Sequence, residues 1–100
     1  LERSTIMVMS QEAAEVVGLN ALKWLVGNDE LLQVFFAETG ASADDMRPES
    51  LNLVFLGALL DFLTMNDEWI IEFCDTVNLS YEQLMNARML LPGGEQMHWT

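Results

Sequence analysis

The chain has 100 residues, 51% of them hydrophobic and 20% charged, and its sixteen acids against four bases give a formal net charge of -12. That is the size of one domain with enough apolar mass to bury a core, and too apolar for disorder over its bulk. Arg3, Lys23, Arg47 and Arg88 are too few and too scattered for a basic patch, so nucleic acid is excluded as a partner and an anionic membrane surface is disfavoured.

The first segment, residues 1–9, has no signal-peptide pattern and is set aside as disordered or foreign to the natural chain. Ser10 then supplies an N-cap, and Ala13, Val16, Val17, Ala21, Trp24 and Leu25 recur at helical spacing, which predicts a helix from Gln11 to Val26. Gly27 breaks it, and Asn28-Asp29-Glu30 caps a second helix with negative charge at its positive end and a stripe of Leu31, Leu32, Phe35 and Phe36. Gly40 is the expected left-handed C-cap. Ser42 and Asp45 make a capping box for a third, short helix, which Pro48 stops.

Pro48 fits the first turn of a central helix that runs to about Thr64. Within it, Leu51 to Leu63 is apolar except for Asn52, Gly57 and Asp61, which share no face. A helix apolar all round has to be surrounded, and the other helices are its jacket. At about 13 residues the run falls short of the roughly 20 that a membrane span needs. Asn66-Asp67-Glu68 caps the next helix, with Trp69, Ile70, Phe73, Cys74 and Val77, and Asn78 ends it. Ser80 and Gln83 form a second capping box, and a last helix uses Leu84, Ala87 and Leu91 until Pro92-Gly93-Gly94.

A shift of 38 residues lays Val16, Leu22, Leu25, Asn28, Asp29, Glu30, Phe35 and Ser42 on Val54, Leu60, Leu63, Asn66, Asp67, Glu68, Phe73 and Ser80. The expected fold class is therefore all-α: a compact bundle of five or six helices built as two pseudo-repeats, residues 10–47 and 48–85, plus a C-terminal helix. Residues 10–94 form one domain and 95–100 a tail.

The motifs Val54-Phe55-Leu56, Leu60-Asp61-Phe62-Leu63 and Asp67-Glu68, with Ala87-Arg88, Leu91-Pro92-Gly93-Gly94 and a terminal His98-Trp99-Thr100, carry a resemblance. The pattern resembles a family of short alpha-proteobacterial proteins catalogued as a domain of unknown function, over Ser10 to Thr100. The resemblance implies a small helical cytoplasmic protein and supplies no catalytic residue.

Chemistry is sparse. One His and one Cys, not at ligand spacing, give no metal site, and no Gly-rich phosphate loop opens a helix, so no metal or cofactor is expected. Cys74 lies on an apolar stripe as a small core residue and excludes an internal disulfide by being alone. Asp61 sits near the C-terminal end of an apolar helix, where the dipole disfavours a carboxylate. It is either a functional acid or the partner of a cation, for which Lys23, Arg47 and Arg88 are available and the 38-residue register favours Lys23. Seven methionines are read first as core filling and second as a plastic groove. The tail with His98, Trp99 and Thr100 either folds back on the bundle, the favoured reading, or serves as a recognition peptide. Leu19, Val34 and Ile71 lie off the main stripes and call for a partner surface. These features together predict a non-catalytic interaction or regulatory module of the bacterial cytoplasm, with a protein partner, a homo-oligomer or both. The alternatives are a small apolar-ligand binder and an enzyme subunit using Asp61 or His98 with a partner.

Overall fold

The computed structural model describes residues 9–92, and among them every regular element is a helix. Five α-helices run in order: α1 (Gln11–Val26), α2 (Asp29–Thr39), α3 (Leu53–Leu63), α4 (Asp67–Val77) and α5 (Tyr81–Leu90). Two 3₁₀ turns, Ala43–Met46 and Pro48–Ser50, join α2 to α3. The all-α bundle read from the sequence is the observed class.

The helix starts follow the capping side chains. The Ser10 hydroxyl accepts from the Ala13 amide at 3.0 Å, Asn28 Oδ1 from Leu31 at 3.2 Å, Asn66 Oδ1 from Glu68 at 2.8 Å and the Ser80 hydroxyl from Gln83 at 3.1 Å. Each satisfies an amide that the first turn leaves without a helical partner. At the other ends Gly40 and Asn78 take left-handed geometry, φ 78° and 58°. Asn is the residue after Gly that tolerates this conformation best.

The link from α2 to α3 and the face of α1 both differ from expectation. The central helix does not start at Pro48. Arg47 is extended, Pro48 opens a separate 3₁₀ turn, and α3 begins at Leu53 with Asn52 as its N-cap, Oδ1 accepting from the Phe55 amide at 2.8 Å. Asn52 thus stands outside the helix and is no polar interruption of it. The third helix is likewise only a 3₁₀ turn, with the Asp45 carboxylate accepting from the Ser42 amide at 2.9 Å. The second correction concerns the buried face of α1, which is Ala14, Val17, Gly18, Ala21, Leu22 and Leu25, while Ala13 and Val16 face outward. The seam is centred on Gly18, whose bare Cα lets Leu56 of α3 come so near that a Cβ at Gly18 would lie 3.0 Å from the Leu56 Cβ.

The core lies where α1, α3 and α5 meet. Leu25, Leu56, Leu59, Leu60, Leu63 and Leu84 are almost wholly buried there. Beyond α5 the chain turns back over α3: Leu91 is buried, and a Cβ at Gly57 would fall 1.6 Å from the Pro92 carbonyl oxygen. Only a residue without a side chain permits that crossing. The N-terminal turn of α3 is less enclosed than the apolar run suggests, since Val54 is exposed. Among the described residues no methionine is fully buried: Met65 and Met89 are exposed, Met85 is half-buried, and Met9 and Met46 pack half-buried against the core.

Candidate functional site

Asp61 is bound up in structure. Its Oδ1 accepts from Arg88 Nε of α5 at 2.9 Å and also from Arg88 Nη2, tying α3 to α5. The in-register pairing with Lys23 does not form; Arg88 holds this carboxylate because α5 packs on α3, and Lys23 makes no ion pair among the described residues. Arg47 contacts Asp44 at 2.9 Å and Glu49 at 3.5 Å at an exposed turn, where such pairs add little. His98, Trp99 and Thr100 lie outside the described residues.

Cys74 packs half-buried against the core, and burial, with the neighbouring Asp75 charge second, pushes its thiol up. That direction favours the inert protonated form over a nucleophilic thiolate. Among the described residues no three His, Cys, Asp or Glu side chains stand close enough together to hold a metal ion.

What the bundle does present is an opening around Trp69. α2 is held to the rest of the bundle by aromatic side chains. Phe35 meets the rings of Phe55 and Phe62 edge-on, at 5.9 and 5.2 Å, and Phe62 stacks on Trp69 at 4.8 Å. Phe62 of α3 thus touches both Phe35 of α2 and Trp69 of α4, while α2 and α4 themselves make few close backbone approaches. Trp69 is fixed by the local sequence. Asn66 starts α4 three residues earlier, and the triplet Trp69-Ile70-Ile71 covers about 200° of helix arc, more than one buried face takes up. Ile70 goes to the core, Trp69 lies half-buried on Phe62, and Ile71 points out, 61% exposed.

Two adjoining clefts result. One, of about 260 Å³, is lined by Asn28, Glu30, Leu31, Val34, Trp69 and Glu72. The other, of about 330 Å³, is lined by Glu68, Trp69, Ile71 and Glu72. Trp69 and Glu72 belong to both. Leu31, Val34, Trp69 and Ile71 supply the apolar part of the floor, three carboxylates edge it, and among the described residues no Lys or Arg lines either cleft. No nucleophile stands beside a base here. The surface can bind; it has no groups for covalent or acid–base work.

Sequence reasoning had placed Val34 and Ile71 outside the core, and both are exposed, at 40% and 61%, as is Leu19. It missed that Val34 and Ile71 flank one indole. The face shared by Tyr81, Met85 and Met89 is no closed groove either, with Tyr81 and Met89 exposed.

The family model described as Protein of unknown function (DUF3572) matches residues 11–94. The chain belongs to that family. The match spans α1 to α5 and the Pro92 crossing, so the DUF3572 unit is the helical domain itself. No curated protein and no solved structure matches the chain. Among the described residues no helix of this DUF3572 domain is long and apolar enough to cross a membrane.

Proposed function

We propose that this DUF3572 domain is a non-catalytic protein-interaction module of the cytoplasm whose docking surface is the paired cleft at Trp69. The observation that carries the reading is the half-buried indole with Val34 and Ile71 exposed on either side of it. A large ring anchored by stacking from below, with aliphatic groups beside it, is the arrangement from which interface hot spots are built. A monomeric surface has no use for leaving these groups together in water. An enzyme subunit using Asp61 has less support, because Asp61 is engaged by Arg88, and so has an apolar-ligand binder, because among the described residues no methionine lines either cleft; His98 lies outside the described residues.

The test is comparative capture from native extract by the wild-type protein and by a Val34→Ser, Ile71→Ser double variant. Proteins retained by the first and lost by the second, at an unchanged denaturation midpoint, support the reading. The same proteins retained by both, or none by either, overturn it.

A further inference from the structure

Resting on that reading, we propose that the occupant of the Trp69 clefts is a basic amphipathic helix of a partner protein, with bulky apolar side chains seated beside Trp69 and Lys or Arg on its flanks.

Charge gives the sign of the partner. Glu30, Glu68 and Glu72 edge the apolar floor, and Asp29 and Asp67 stand in the first turns of the two helices that form it. On a chain of net charge -12 with no base in either lining, this is the footprint of a cationic ligand. A second copy of the same chain would bring like charge to like. Glu68 and Glu72 are one helical turn apart on α4, so two cations spaced by one turn on a partner helix face both.

Backbone chemistry gives the partner's conformation. An extended peptide binds by adding hydrogen bonds to an exposed strand edge, and the described residues contain no strand. At the nearest helix starts the Leu31 and Glu68 amides already donate to Asn28 and Asn66. A segment that enters an apolar cleft here must satisfy its own backbone, and a helix does so. The floor is a seam between two helices, into which an apolar stripe recurring every third and fourth residue fits.

The experiment uses the full chain and synthetic helices of about 18 residues with a Leu stripe, one flanked by Lys and the other by Glu. Binding is followed by the indole N–H resonance of Trp69 and by calorimetry. The Lys peptide is expected to bind and shift that resonance, with affinity falling about tenfold from low to high salt. The Glu peptide is expected to be at least about tenfold weaker. Glu68→Gln with Glu72→Gln should weaken the Lys peptide by about tenfold, and so should Val34→Ser with Ile71→Ser, which leaves every charge in place.

Binding that ignores the Ser variant is diffuse attraction to an acidic protein and overturns the proposal. Equal binding of the Glu peptide overturns it too, as does a dimer that Ile71→Ser dissolves, which would make the cleft an interface between copies. If cellular partners depend on Val34 and Ile71 while the Lys peptide fails to bind, the helix assignment falls and the interaction reading stands. If neither depends on those residues, both fall.

Discussion

The two seams of this bundle differ in one ingredient. Between α1, α3 and α5 small residues, Ala14, Gly18, Ala21, Gly57 and Ala87, are interleaved with the buried leucines. From α2 across the end of α3 to α4 the contact residues are aromatic: Phe35, Phe62 and Trp69. Small residues let backbones touch and give the chain its rigid interior; rings act as spacers and leave a gap that water or a partner fills. Total apolar content cannot distinguish the two. Side-chain size along the seam can, and it separates the part of the molecule that carries stability from the part that presents a surface.

The largest effect that would sharpen this contrast is expected at Gly57. Gly57→Ala puts a methyl into the Pro92 carbonyl, so the Leu91–Pro92 segment must leave α3, at a cost of about 3 kcal/mol. Gly18→Ala meets only the Leu56 side chain and gains helix propensity, so it should stay within about 1 kcal/mol of wild type. Denaturant midpoints read both. Equal effects would mean that the crossing at Gly57 is not a tight contact. The Trp69 indole resonance should stay in place in the Gly18 variant, since the two seams share no residue.

Next comes the brace across the tight seam. Removing Arg88 from the half-buried Asp61 leaves a carboxylate without its charged partner, and Arg88→Met is expected to cost about 1.5 kcal/mol. Asp61→Asn with Arg88→Met should recover part of that. A double-mutant cycle with coupling near zero would reduce the pair to a surface contact.

Local helix starts add to the packing of the open seam. Asn28→Ala and Asn66→Ala should each cost about 1 kcal/mol, and Asp29→Ala or Asp67→Ala a few tenths through the dipole. A series in which the Asp changes are consistently the larger contradicts the cap geometry.

The smallest effect belongs to Cys74. Its raised thiol favours the protonated form in the fold, so stability should be level below the ordinary thiol range and decline as pH climbs through it. Iodoacetamide should label the folded chain more slowly than the unfolded one at pH 8; equal rates would show the thiol to be in water.

Local chemistry was legible in the sequence, and packing partners were not. Ser10, Asn28, Asn66 and Ser80 with Gly40 and Asn78 mark the helix ends because a cap is a contact within three or four residues. The span Gln11–Val26 follows from them directly. Asn52 is set in an apolar run that hides its capping ability, yet an Asn before a long apolar helix is itself a start signal. The face of α1 was set one position off because Gly18 carries no hydrophobicity for a stripe to count. Arg88 as the partner of Asp61 depends on how α5 crosses α3, which no spacing encodes. For the Trp69 cleft one signal was present: three consecutive apolar residues between Glu68 and Glu72 cannot all face inward.

The crossing of Pro92 over Gly57 also sets an order of events during synthesis. α1, made first, finds its two main neighbours in α3 and α5, and Gln11 Nε2 donates to the Leu90 carbonyl at 3.4 Å at the far end of the domain. Until the ribosome has released Leu91 and Pro92, the apolar flank of α3 has nothing to lie under, and α1 lacks half of its bed. The chain therefore cannot fold helix by helix as it emerges; its last described residues close an interior begun by its first. The most apolar helix, α3, therefore keeps one flank uncovered until Leu91 and Pro92 lie over it.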